Sequence, residues 1–402
     1  MKINKAFRYE LKPNVEQRIA LAKHAGTARF AYNWGLKQRV DLYEKEQKTT
    51  NAIEQHRILN SLKAQEFSWM YEVSKCAPQE ALRDLDRAFK NFYRSFKEGK
   101  RVGFPKYKKK GIHDSFRLTG IIKIHEQSIQ LPRLGIIRLK EKTQVEGKIL
   151  STTLSRQTDR WYVSITVELE ICNPTPVKST PVGIDLGLTS FAVTSEGIKI
   201  ASPKPLNKAI KKLRRLNKQH SRKKAGSKNR KRSSLKLARH HRRVSNQRTD
   251  FQHKLSTTLA KTKSVLIVED LSVKEMLGTR SRSRSISDAG WSGFIGMLEY
   301  KTQWYGSTLI KAPRYYPSTK TCSNCGHIEN SLTLDIREWR CCQCEEEHDR
   351  DVNAAINLLK LYTGSSPGIH ACGDTSNGES QKLSSYASWK QEVMNGIFVH
   401  KL

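Results

Sequence analysis

The spacing of apolar residues changes period along this chain, and each change marks a border. "KAFRYELKPN" alternates apolar and polar side chains until Pro13, which predicts a strand. From there "EQRIALAKHAGTARFAYNWGLKQRVDLYEKE" repeats apolar residues three and four apart, as one helix face requires. The same period returns in "SLKAQEFSWMYEV" and in "QEALRDLDRAFKNFYRSFKEG", where Leu82, Leu85, Phe89, Phe92 and Phe96 fall on one side. "VGFPKYKKKG" ends the helical region with Pro, Gly and a basic run. Between Ser115 and Glu170 the period drops to two. "SFRLTG", "IIKIHE", "SIQLP", "GIIRLK", "TTLSR" and "WYVSITVELE" are separated by turn residues, the pattern of a small antiparallel barrel. "NPTPVKSTP" follows as a linker.

Beyond the linker the apolar runs are shorter and of the buried type. "VGIDLGLTSFAVTSEG" predicts a strand that delivers Asp185 between two glycines and leads into a second strand. "KSVLIVEDLS" predicts a parallel strand of β-branched residues ending at Glu269 and Asp270. Two helical arms, "AIKKLRRLNKQHSRK" and "SSLKLARHHRRVSNQRTDFQHKLSTTL", flank the loop "KAGSKNRKR" between these strands. In "SDAGWSGFIGMLEY", Trp291, Phe294 and Leu298 are spaced as a helix face, and "VNAAINLLKLY" predicts a helix starting near Asp351 whose Ala354 and Ala355 permit close packing.

Charge turns this outline toward a partner. The chain has 402 residues, 37% of them apolar, enough for two or three domains with real cores. Its 73 Lys and Arg against 38 Asp and Glu give a formal charge of +35, far beyond what solubility needs, so a polyanion is the natural partner and nucleic acid the first choice. A histone-like packing protein would reach that charge with fewer aromatics and no constellation of acids. The two basic arms are nearly all of one sign, whereas a merely solvated helix mixes signs, so they are expected to lie along phosphates. Such contacts are salt-sensitive and blind to sequence. No apolar stretch approaches the ~18 residues of a membrane span, and "MKINKAFRYELKPN" has no apolar leader core, so a cytosolic protein is expected.

Two chemistries stand out. Five of the eight cysteines lie between Cys322 and Cys344. "CSNC" (Cys322, Cys325) and "CCQC" (Cys341, Cys344) are two C-x-x-C knuckles with 15 residues between them, the spacing of a four-thiolate zinc ribbon. Such a site is closed to water and therefore structural. Cys342 is an extra thiol, and Cys76, Cys172 and Cys372 stand alone. The second chemistry is oxygen-based. Asp185, Glu269 and Asp351, on two strand ends and a helix start, form a plausible cage for two magnesium or manganese ions, the arrangement that activates water against a phosphodiester. Bound cations would also explain why acids persist together in so basic a chain.

"GIDLGLTSFAV", "IVEDL", "SISDAGWSGFIGMLEYKTQWYG", "YPSTKTCSNCG", "HDRDVNAAINL" and "ACGDTS", in that order, resemble TnpB, the family of transposon-encoded RNA-guided nucleases related to type V CRISPR effectors. "FRYELKPN", "ALRDLDRAFKNFYR" and "GFPKYKKK" extend the likeness through the first third. The resemblance implies an α/β multidomain protein: an RNase H-like RuvC nuclease domain with an inserted zinc ribbon, a β-barrel wedge domain and a helical recognition lobe. The implied borders are wedge strand 1–14, recognition lobe 15–110, wedge barrel 111–178, RuvC 179–318 with the basic hairpin at 204–260, zinc ribbon 319–347, last RuvC helix 348–364 and tail 365–402. The catalytic triad falls on Asp185, Glu269 and Asp351, leaving Asp349 as a local polar residue or one that supports the triad from behind. The implied cofactors are catalytic Mg2+ or Mn2+ and structural Zn2+.

The partners implied are an omega guide RNA and a double-stranded DNA target flanked by a short motif, with the chain acting as a monomer in the ribonucleoprotein. Lys75 and Gln79 match positions that contact the flanking duplex, and the run around Arg222, Lys223 and Lys224 matches a channel or lid. The sequence departs from the family at Cys76, where a bulky residue is usual, and at Glu345, where glycine is common and would ease the turn beside the metal. The tail from Ser365 is expected to be disordered without RNA. Two other functions are carried: an RNA-guided repressor that does not cut, which would lack a triad acid, and a zinc-ribbon DNA-binding or transposase accessory protein acting without RNA.

Overall fold

The computed structural model describes residues 1–99, 103–278, 281–333 and 335–364; the expected tail at 365–402, with Cys372, lies outside them. The first strand, β1 (Lys2–Lys12), leads into α1 (Val15–Glu46), which is started by a capping box in which Asn14 and Gln17 satisfy each other's backbone N–H groups. Helices α2 (Ala52–Leu62) and α3 (Cys76–Lys97) complete the helical part. The continuous helical period read across residues 61–73 is corrected: α2 ends at Leu62, and a short 3-10 turn occupies Ser68–Glu72. The apolar stripe on α3 is also shorter than its period suggests. Leu82, Leu85 and Phe89 are buried, Phe92 is half-buried and Phe96 is 74% exposed.

Strands β2 (Ser115–Leu118), β3 (Lys123–His125), β4 (Ser128–Leu131), β5 (Gly135–Leu139), β6 (Lys148–Gln157) and β7 (Arg160–Glu170) match the six alternating runs. With β1 they form one antiparallel sheet in the order β2-β6-β7-β1-β5-β4-β3. The N-terminal strand therefore sits in its middle. A closed barrel is not what the hydrogen bonding gives: among the described residues no ladder joins β2 to β3, whose four and three residues leave little backbone to pair. Helices α1 and α3 cover this sheet, and Leu21, Leu36, Leu82, Leu118, Val163 and Ile165 share its core.

A second sheet follows the linker. Its strands are β8 (Val182–Asp185), β9 (Ser190–Thr194), β10 (Lys199–Ala201), β11 (Val265–Val268) and β12 (Thr308–Lys311), in the order β10-β9-β8-β11-β12. β8, β11 and β12 run parallel, while β9 and β10 are antiparallel additions. Between β10 and β11 stands the basic hairpin, α4 (Pro205–Ser221) and α5 (Lys228–Thr262). After β11 come α6 (Val273–Met276), α7 (Ser283–Ala289) and α8 (Trp291–Tyr305). The chain then forms a two-stranded ribbon, β13 (Glu338–Arg340) with β14 (Glu347–Asp349), and ends in α9 (Arg350–Thr363).

Strand alternation decides what each face of this second sheet sees. Val182, Ile184, Leu266 and Val268 point to one face and pack with Leu259 of α5 and with Trp291, Phe294 and Leu298 of α8, as the "SDAGWSGF" spacing predicts. Ile267 points to the other face and packs against Leu358 of α9. Gly183 lies on that second face too. A Cβ there would stand 2.0 Å from the Ala355 carbonyl oxygen and 2.8 Å from the Leu359 nitrogen. Glycine at 183 and the small Ala354 and Ala355 thus allow α9 to lie directly on β8.

Candidate active site and metal clip

The packing that seats α9 also gathers the acids. β8 and β11 pair in parallel with Val268 beside Ile184, so the next residue of each strand sets Glu269 beside Asp185. By alternation both carboxylates belong to the face that carries Gly183 and Ile267, which is the face covered by α9. α9 brings Asp351 in its first turn. Asp349, left by sequence as a local polar group, is the cap of this helix: its side chain accepts from the Asp351 and Val352 amides at 3.1 and 3.0 Å and pairs with Lys199 at 2.6 Å.

The environment of these acids opposes their ionisation. Asp185 is buried, and desolvation, followed by the charges of Glu269 and Asp351, pushes its carboxyl well above the ordinary range. Burial also raises Glu269, against a hydrogen bond donated by Ser318 Oγ at 2.5 Å. Asp351 is held by Arg337 at 3.1 and 3.3 Å and by Arg350 at 3.5 Å; Arg337 also donates to Thr189 at 3.2 Å. Asp270, next to Glu269 in the chain, pairs instead with Arg314 at 2.8 Å, the ordinary fate of an acid in a basic chain. The three carboxylates are not drawn within 4.8 Å of one another. Asp351 leans toward its arginines. A donor set of mutually repelling, partly desolvated carboxylates fits hard divalent cations, which would offset both costs.

The cysteines meet as their spacing predicts. Sγ atoms of Cys322, Cys325, Cys341 and Cys344 all lie within 4.8 Å of one another, with Cys322 to Cys344 and Cys325 to Cys341 both at 3.6 Å. The edge of a zinc–thiolate tetrahedron with ~2.3 Å bonds is ~3.8 Å, so the four donors fit that ion. The Glu346 backbone amide brings the Cys344 thiol down to about 7, favouring the thiolate that a metal needs. The knuckle turns are matched: Gly326 has φ +82° and Glu345 has φ +61°. Glu345 therefore occupies left-handed backbone where glycine is favoured, and Arg340 grips both its carbonyl and its carboxylate, at 2.9 and 2.7 Å.

Sequence reasoning missed Ser318, Arg337 and Lys199, and read His348 as no more than a histidine on the approach to a helix. Ser318 lies 49 residues from Glu269, inside "YPSTKTCSNCG" but with no role read for it, and Arg337 lies 14 residues before Asp351 in a polar segment with no motif. Lys199 is one lysine among many. His348 places Nε2 3.0 Å from Cys322 Sγ and packs its ring on Trp339, tying the clip to the strand that runs into α9. The expected nucleic-acid contacts are scattered. Lys75 is exposed at the start of α3 with Gln79 half-buried one turn on, while Cys76 is buried against the Thr119 carbonyl. Arg222, Lys223 and Lys224 are exposed at the hairpin tip. Not all hairpin charge is free for phosphates: Arg239 and Arg242 bind Asp159 in the β6–β7 turn at 2.7 and 2.9 Å.

Comparison with known proteins finds relatives across most of the chain. A family model described as a probable transposase matches residues 164–280, and one described as the TNB domain of Cas12f1-like proteins matches 291–358. A model described as a helix-turn-helix domain matches 1–48, where the structure has β1 followed by the single helix α1. A solved Cas12f1–sgRNA–target DNA complex superposes with TM-score 0.55 over 89% of this chain and 99% of its own, at 14% identity. The chain is therefore a multidomain α/β protein that shares the fold of Cas12f1 and carries a four-cysteine clip before its last helix. A "Putative RNA-guided DNA endonuclease" of Streptomyces pristinaespiralis is 36% identical, covering 92% of each chain. "Putative RNA-guided DNA endonuclease InsQ" of Escherichia coli is 32% identical over 93% of this chain and 95% of its own. The chain belongs to this TnpB family.

Proposed function

We propose that this protein is an RNA-guided DNA endonuclease that cuts double-stranded DNA beside a short flanking motif. One observation carries the reading: three acids from distant segments converge on the face of a mixed sheet where α9 crosses β8, and the two at the strand ends are held in surroundings that resist their ionisation. The relatives described as RNA-guided DNA endonucleases and the fold shared with a guide-RNA and target-DNA complex support the same assignment.

Asp185, Glu269 and Asp351 would hold magnesium or manganese, which supplies Lewis-acid activation of a water and neutralises charge developing at the phosphorus. The chain's own groups prepare that site. Ser318 donates a hydrogen bond that partly offsets the burial of the Glu269 carboxylate, Asp349 fixes the start of α9, and Arg337 and Arg350 offset the charge of Asp351. The four cysteines would carry a structural zinc. In this reading β1 to β7 form the wedge and α1 to α3 the recognition lobe, gripping an omega guide RNA. Lys75 and Gln79 would meet the flanking duplex, and Arg222, Lys223 and Lys224 the nucleic acid in the channel. The guide reads sequence by base pairing, while protein reads the short motif and backbone shape. Among the described residues no helix is long and apolar enough to cross a membrane. The protein would act on DNA in the cytosol as a monomeric ribonucleoprotein.

The test is to express the chain with its flanking transposon DNA, sequence the RNA that co-purifies, and offer a plasmid library with a guide-matched target and randomised flanks. A discrete RNA and magnesium-dependent cutting beside one motif are expected. Guided binding without cutting would make the protein a repressor, and stable duplex binding by RNA-free protein would make it an accessory DNA-binding factor.

A further inference from the structure

The four-cysteine clip leaves one thiol of its cluster unused. Cys342 adjoins Cys341 in the chain, yet its side chain turns out of the clip to the surface and meets His327, with Nε2 3.3 Å from Sγ. Glu329 joins them, in hydrogen-bond contact with the Cys342 thiol. The backbone explains the convergence. Thr321 and Ile328 form an antiparallel bridge, and Glu329 N–H donates to the Lys320 carbonyl at 2.9 Å, so the segment is extended there. His327 and Glu329 flank Ile328 and therefore project to one side. Sulfur, imidazole nitrogen and carboxylate oxygen all lie within 4.8 Å of one another.

We propose that His327, Glu329 and Cys342 form a second metal site of the ribbon, taking one divalent transition-metal ion of the zinc type. The donor set decides the class of ion: one thiolate, one imidazole and one carboxylate suit zinc or cobalt, whereas magnesium and calcium would ask for a cage of oxygens. The carboxylate is already oriented, since Glu329 Oε1 accepts from Ser331 Oγ at 2.6 Å and from its amide at 3.2 Å. Three protein donors at the surface leave a fourth tetrahedral position open to water or an outside ligand, unlike the closed four-cysteine site. The new site also ties the same two segments together. His327 and Glu329 follow the first knuckle and Cys342 sits inside the second, so an ion here cross-links the ribbon a second time, and its binding energy adds to folding energy.

The experiment is a zinc titration of the full-length chain under reducing conditions, read by native mass spectrometry, with Cys342→Ser and His327→Ala beside the parent. The parent is expected to take up about two zinc ions per chain, the first tightly and the second more weakly, and each variant about one. Retention of the tight ion shows that a variant's ribbon is folded. Cobalt gives a second readout: thiolate-to-metal absorption should grow in two stages for the parent and in one for Cys342→Ser. Saturation of the parent at a single ion, or a second ion that survives both substitutions, would overturn the site. A bare thiol–imidazole hydrogen bond would give the first of those results.

Discussion

Asp185 and Glu269 carry carboxylates where ionisation is costly, and that cost can be measured. A buried acid whose carboxyl is raised in the folded state takes up a proton more readily than it does unfolded, so in metal-free buffer its charge destabilises the chain at neutral pH. Asp185→Asn should therefore raise the melting temperature in chelator at neutral pH, while cleavage falls by roughly 10³-fold, the several kcal/mol that metal-ion stabilisation supplies. The stability gain should shrink as pH falls through the raised pKa of the folded state, because the parent's carboxyl is then protonated too. Differential scanning calorimetry across pH checks the sign. At Ser318 the prediction concerns rate: Ser318→Ala removes the hydrogen bond that favours ionised Glu269, so the acidic limb of the cleavage pH profile should move to higher pH. The acids were legible because each ends an apolar strand or starts an apolar helix. Ser318 and Arg337 were not, because a polar residue in a turn carries no sign of what it will face.

Between elements, the contact of β8 with α9 carries the most consequence. Gly183→Ala would drive a methyl into the Ala355 carbonyl, a backbone atom that cannot step aside. A loss of about 1–3 kcal/mol is expected by chemical denaturation, with cleavage reduced because α9 carries Asp351. Glu345→Gly should act in the opposite direction, stabilising the zinc-loaded ribbon by about 1 kcal/mol by relieving left-handed backbone. Its ion pair with Arg340 is exposed and offsets little of that gain. Strand periodicity was legible throughout, since alternation survives whatever the partner strand is. The misreading at residues 61–73 has a physical cause: apolar residues there are spaced as on a helix, but the backbone turns at 63–66 and leaves Trp69 and Tyr71 exposed. Barrel closure was illegible as well, because pairing between the first and last strands is a property of the whole sheet.

At the scale of the molecule, the excess of positive charge predicts how the protein holds nucleic acid. Affinity for non-matching double-stranded DNA should fall by about 10³-fold or more between ~50 and ~200 mM salt, measured by fluorescence anisotropy, if some six or more phosphates are neutralised. Replacing Arg222, Lys223 and Lys224 together by alanine should flatten that salt slope without changing stability, since all three are exposed. Arg239 and Arg242 should behave differently. They anchor the hairpin to the first sheet through Asp159, so their loss would loosen its seating as well as binding. Net charge named the kind of partner, but only the fold separates cations that anchor from cations that are free.

The central claim is that Asp185, Glu269 and Asp351 hold divalent cations at the place where α9 crosses β8. A manganese-soaked crystal or a manganese-loaded complex with guide RNA and target tests it directly by anomalous scattering. Manganese peaks beside these carboxylates are expected, with their disappearance in Asp185→Asn. Manganese bound elsewhere in a complex that still cuts, or cutting by Asp185→Asn at the parent's rate, would contradict it.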